Sequence, residues 1–108
     1  MVNLAIWAEL EAKPGKEREV EEFLKSAQFL AERERETISW YAVKLRPGQF
    51  GIFDTFKDEA GRKEHLTGEI ARALFAKAAE LLVKEPEIHR IEILAAKTHP
   101  AGAARAGA

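Results

Sequence analysis

Hydrophobic and polar positions along the chain switch between a period of two and a period of about 3.6, and each switch marks an element. From Val2 to Ala12 the alternation is strict. Val2, Leu4, Ile6, Ala8 and Leu10 fall on one side, and Asn3, Ala5, Trp7, Glu9 and Glu11 on the other, which predicts a strand. Lys13-Pro14-Gly15 breaks it, with proline preset for a helix start. From Lys16 to about Glu34 the apolar residues Val20, Phe23, Leu24, Ala27, Leu30 and Ala31 recur at three-and-four spacing, so an amphipathic helix is expected. Thr37 to Arg46 returns to strand chemistry with Ile38, Trp40, Tyr41, Val43 and Leu45. Arg46-Pro47-Gly48-Gln49 reads as a tight turn, and Phe50 to Lys57 as a third strand in antiparallel pairing with the second. Asp58 is placed to cap a helix that reaches Thr67-Gly68. A further helical stretch, Glu69 to Lys84, carries Ile70, Leu74, Ala78, Leu81 and Leu82, and Gly68 either kinks one helix or separates two. Glu85-Pro86 stops it, and Ile88, Ile91, Ile93 and Leu94 mark a last strand ending near Lys97.

The order strand, helix, strand, strand, helix, strand is that of a ferredoxin-like α+β fold, a split βαβ with a four-stranded antiparallel sheet and its helices on one face. Residues 1–97 are expected to form one domain and residues 98–108 a flexible tail. A sheet covered on one side only should show polar residues on the other. These strands are apolar on both sides: Ala5 and Trp7 in the first, Trp40 against Tyr41 and Val43 in the second, Phe50 and Ile52 against Phe53 in the third. A homodimer formed sheet against sheet is therefore expected.

Composition narrows the partners. With 17 basic and 18 acidic residues intermixed and a formal net charge of -1, no basic face emerges and nucleic-acid binding is not expected. The chain has 0 cysteines, so disulfides, thiolate nucleophiles and thiolate metal sites do not arise. Met1 to Trp7 lacks the basic lead and long apolar run of a signal peptide, and no segment has the roughly 20 apolar residues that span a bilayer. The expectation is a soluble cytoplasmic protein without membrane attachment.

Among residues that carry chemistry, His65 stands out. It lies at the border of a helical face anchored by Leu66, from which a side chain reaches a cleft, and an ordinary pKa of about 6.5 suits a general base. The competing reading is a helix histidine bonded to a carbonyl or to solvent. Trp40, Phe53 and Phe75 could wall a pocket for a flat ring, or belong to core and interface. Asp54, in an otherwise apolar strand, either orients His65 and meets a substrate hydroxyl or forms a salt bridge. Asn3 either offers an amide to an oxygen or merely ends a strand, and Arg62 and Arg72 read as a solvated helix face. The charge run Glu32 to Glu36 reads as a solvated helix end. His65, His89 and His99 lack metal-ligand spacing, so no metal is expected.

The stretch Phe53-Asp54-Thr55-Phe56-Lys57-Asp58-Glu59-Ala60, then His65-Leu66, and the closing Pro86-Glu87-Ile88-His89-Arg90-Ile91-Glu92-Ile93-Leu94-Ala95 resemble the antibiotic biosynthesis monooxygenase family over about residues 3–97. The resemblance implies a dimeric α+β barrel. It implies oxidation of a quinol or activated phenol by O₂ without metal, flavin or haem cofactor, with His65, which the family commonly carries, as the base. Other members isomerise a small signalling molecule, and a non-catalytic ligand-binding dimer is a further alternative. Many members have Glu-x-Trp where Asp54-Thr55-Phe56 stands here, and Glu-Pro-Gly where Arg35-Glu36-Thr37 stands. Haem-degrading relatives place Trp at the position of His65 and His at that of Phe75, so haem binding is not expected.

Overall fold

In the computed structural model, which describes residues 2–99, strands and helices follow as β1 (Leu4–Glu11), α1 (Glu17–Ala31), β2 (Thr37–Arg46), β3 (Gln49–Phe56), α2 (Glu59–Leu66), α3 (Glu69–Leu81) and β4 (Glu87–Glu92). The strands form one sheet in the order β2-β3-β1-β4, antiparallel throughout. This is the ferredoxin-like α+β fold. Of the tail expected at residues 98–108, everything beyond His99 lies outside the described residues. No helix is long and apolar enough to cross a membrane among the described residues.

Register sorts the side chains between two faces. Ile6 pairs with Asp54, Ala8 with Ile52 and Leu10 with Phe50, and all of these are buried. Val20 and Leu24 of α1 and Leu74, Ala78 and Leu81 of α3 close over Ala8, Leu10, Phe50 and Ile52 as one core. The fully buried apolar side chains contribute roughly 1.5–3 kcal/mol each before ordering costs. On the opposite face Trp7, Phe53 and Tyr41 stand side by side across three strands. Tyr41, Val43 and Leu45 there are 58%, 37% and 47% exposed. Trp7 lies flat over Gly51, and a Cβ at that position would overlap its ring.

Three boundaries differ from the expectations. Helix α1 ends at Ala31 rather than near Glu34, because the chain tightens into shorter hydrogen bonds: Arg33 N–H to Leu30 O and Glu34 N–H to Ala31 O, both 3.1 Å. Helix α3 ends at Leu81, short of Lys84, and of the two readings open for Gly68 it is separation that holds, its own N–H closing α2 on His65 O at 3.0 Å. Strand β4 stops at Glu92, short of Lys97, because β1 supplies partners only as far as Leu4. A last bond from Ile93 N–H to Asn3 O, 2.8 Å, ends the ladder. The edge strand β2 carries irregular register at Thr37/Ser39 and at Lys44/Arg46.

Helix α2 packs unusually. Asp58 caps it by accepting from Gly61 N–H at 2.8 Å, as its sequence position suggested. Its buried residues are Gly61, Arg62 and His65, none of them apolar and large. Arg62 is neither solvated nor free. Its Nη1 donates to Ala5 O (3.2 Å) and Ile91 O (3.3 Å), and its Nη2 meets Glu59 Oε2 at 2.7 Å. Gly61 has no side chain because Glu36 runs directly against it; an added Cβ would stand 2.8 Å from Glu36 Cβ. That close approach delivers the segment after α1 to His65.

Candidate functional site

Three elements converge on one imidazole. β3 supplies Asp54, α2 supplies His65, and the segment between α1 and β2 supplies Glu34. Asp54 sits on the helix-facing side of the sheet with Ile6 and Trp40 as cross-strand neighbours, and its side chain is 1% exposed. His65 lies over Phe56, ring centroids 5.1 Å apart, with 9% of its side chain exposed. Its Nδ1 donates to Glu34 Oε1 at 2.7 Å, and the same oxygen accepts from Thr37 Oγ1 at 2.7 Å. On the other side Nε2 lies 2.9 Å from Asp54 Oδ2. That second contact is an ion pair and not an aligned hydrogen bond, since both Asp54 oxygens lack a hydrogen-bond partner.

The electrostatics follow from this sandwich. Burial alone would strip the proton from His65, but the flanking Asp54 and Glu34 carboxylates overcome it and push its pKa up to about 9. Burial raises the Asp54 carboxyl above its ordinary value; the adjacent His65 opposes the rise and the Glu34 charge adds to it. Burial raises Glu34 as well, but hydrogen bonds from His65 and Thr37 outweigh it and leave that carboxyl below its ordinary value. His65, with a carboxyl group at each ring nitrogen, therefore holds its proton through neutral pH, and Glu34 stays ionised beside it.

Glu34 is the member nearest solvent, 20% exposed. It lies between a cleft of about 500 Å³, bordered by Arg33, Arg35, His65, Glu69 and Arg72, and a hollow of about 370 Å³ bordered by Thr37, Ser39 and Trp40. Arg33 meets Glu69 at 3.2 Å, and Arg72 donates to Thr67 O at 2.6 Å. Glu34 Oε2 and Trp40 Nε1 are buried without a hydrogen-bond partner.

The other candidates scatter. Trp40 shares the helix-facing side with Asp54 and packs against the core, whereas Phe53 lies on the open face, so within one chain the two cannot wall the same pocket. Asn3 is exposed just before β1, where its carbonyl accepts from Ile93 N–H, and Phe75 is 43% exposed on α3. Sequence reasoning missed Glu34, which sits in the acidic and basic run read as solvated. No local pattern marks it, because its partner is 31 residues away. Among the described residues no group of three or more His, Cys, Asp or Glu is arranged to hold a metal ion.

No family model and no curated relative matches the chain. Solved structures do. A Nitrosomonas europaea protein of unknown function is 50% identical, with a TM-score of 0.90 over 94% of this chain and 98% of its own. The chain belongs to the same family as that protein. A second Nitrosomonas europaea protein, provisionally named an antibiotic biosynthesis monooxygenase, superposes with a TM-score of 0.76 at 11% identity, covering 89% of this chain and 94% of that one. A Bacteroides thetaiotaomicron protein of the same provisional name gives 0.66 at 21% identity, covering 93% of each. The fold is thus the antibiotic biosynthesis monooxygenase fold, as the residues of β3, α2 and β4 suggested.

Proposed function

We propose that this chain is a cofactor-independent monooxygenase that oxidises a quinol or activated phenol with O₂, acting as a homodimer. The observation that carries the reading is the Glu34–His65–Asp54 cluster at the cleft: a partly buried imidazole with a carboxyl group at each ring nitrogen is an arrangement that can hold and relay a proton. Removal of a phenolic proton makes the ring electron-rich enough to pass an electron to O₂. The fold shared with proteins named as monooxygenases supports the reaction class. The exposed apolar row Tyr41, Val43 and Leu45 supports a second copy packed sheet to sheet, since a face of that kind left wet would be a large apolar patch.

Oxygen consumption with a panel of hydroquinones tests this. The wild type should consume O₂ with at least one of them, and His65→Ala should be slower by about 10²-fold or more, the usual effect of losing acid–base assistance. Equal rates in the two proteins, or no uptake with any compound, would refute it. The same cluster can return the proton it takes. That property favours, as a second reading, isomerisation of a hydroxy-carbonyl compound, which would leave O₂ untouched.

A further inference from the structure

We infer that the Glu34 side chain is a gate: turned outward, it joins the cleft and the hollow on its two sides into one chamber, whose polar wall takes a small carboxylate in place of Glu34. The inference goes beyond the reaction proposed above, since it concerns what the chamber binds and not what is done to it. Three observations lead to it. First, Glu34 and Thr37 border both spaces, so the Glu34 side chain is part of the partition between them. Second, the gate has a short pivot. Glu34 lies in Glu32-Arg33-Glu34-Arg35-Glu36, which has no apolar side chain, and its backbone N–H is tied to the end of α1 at Ala31 O. The side chain, 20% exposed, is held inward by bonds from His65 Nδ1 and Thr37 Oγ1, so rotation about its own bonds frees it without moving a helix or strand. Third, the closed arrangement is incompletely satisfied. Glu34 Oε2 is buried without a donor and Trp40 Nε1 is buried without an acceptor, although both residues border the same hollow. Buried groups left unpaired in this way cost stability, and an occupant that pairs with the indole recovers some of it.

The wall left behind names the ligand. With Glu34 turned out it offers three donors: the Nδ1–H of His65, the Thr37 hydroxyl and the Trp40 indole N–H. Asp54 stays at Nε2, on the far side of the imidazole. Around the cleft Arg33, Arg35 and Arg72 balance Glu36, Glu64 and Glu69, so one added negative charge meets no excess of its own sign. A carboxylate brings that charge together with two coplanar acceptors. One oxygen takes the bonds that Glu34 Oε1 accepts in the closed state. The other, free of the tether to α1, turns to the indole. A neutral amide of the same shape lacks the charge and sets an N–H against one of the donors, so it is refused. Exchange of one carboxylate for another breaks and forms hydrogen bonds alone, with no covalent step.

The probe is benzoate, with neutral benzamide as its control, titrated into the protein in a calorimeter. Glu34→Ala, which has no gate to displace, should bind benzoate at least about tenfold more tightly than the wild type and should gain nothing for benzamide. Trp40→Phe added to Glu34→Ala should take back most of the gain. In case Glu34→Ala does not fold, NMR of the wild type at benzoate saturation gives the same answer. The Trp40 indole N–H signal should shift while that of Trp7, on the opposite face and bonded to Glu9, stays in place. The ¹³C carboxyl signal of Glu34 should move to the position of an exposed glutamate. Equal benzoate affinity in the two proteins, benzamide binding as well as benzoate, an unmoved Glu34 signal, or no binding to any folded form would each overturn the assignment. If benzoate behaves as expected but no hydroquinone consumes O₂, the gate stands and the monooxygenase reading falls. If O₂ is consumed by a protein that ignores benzoate, the reverse holds.

Discussion

An imidazole held between two carboxylates makes protonation part of the fold. The pKa of His65 is raised to about 9, so its contribution to stability is fully present below the ordinary value of 6.5 and is lost as pH rises through about 9. Glu34, held below its ordinary 4.5, works in the opposite sense: its contribution is present above that value and is lost on acidification. Melting temperature should therefore fall on the alkaline side between pH 6.5 and 9, by at most about 3 kcal/mol in stability, and His65→Gln should flatten that limb. An alkaline limb unchanged in the variant would show that the ion pairs contribute nothing. Asp54 was visible in the sequence as a lone titratable group in an apolar strand, and His65 as the one histidine of its helix, beside Leu66. Glu34 was not, because in a run of alternating charges nothing local separates a glutamate that turns inward from its solvated neighbours. What turns it inward is the tightened end of α1 and the bare backbone at Gly61, both tertiary facts.

At the level of elements, α2 shows how a helix with almost no apolar face is still fixed. Arg62 ties it to β1 and β4, and His65 ties it to β3 and to the segment after α1. Hydrogen bonds from a charged donor are worth roughly 1.5–3 kcal/mol. Arg62→Ala should cost about 2 kcal/mol in urea unfolding and should disturb the His65 NMR signals as α2 loosens. Loss of less than about 0.5 kcal/mol would show that α2 is held by something else. The remaining elements were legible because period and turn chemistry agreed: Pro47-Gly48 between β2 and β3, the Asp58 cap, the stripe of α1. Their ends were not. How far β4 runs is decided by where β1 stops offering partners, a property of the pairing and not of the β4 residues Ile93 and Leu94.

For the whole molecule, two-faced strands are explained by two different coverings: helices on the Ile6, Ile52 and Phe50 side, and, as proposed, a second copy on the Trp7, Phe53 and Val43 side. Val43→Glu places a charge in the middle of the exposed row. It should raise the dimer dissociation constant at least about 100-fold by sedimentation while leaving the far-ultraviolet circular dichroism unchanged. A wild type that sediments as a lone chain at micromolar concentration would remove the pairing. The irregular ends of β2 bear on the same assembly. A straight, flat outer strand would offer its free amides and carbonyls to any passing chain, and growth along that border has no natural stop. Here the border is bent at both ends and lined with Lys44 and Arg46, so it repels addition in the sheet plane. Under the pairing proposed above, this border turns association away from the sheet plane and toward the apolar side.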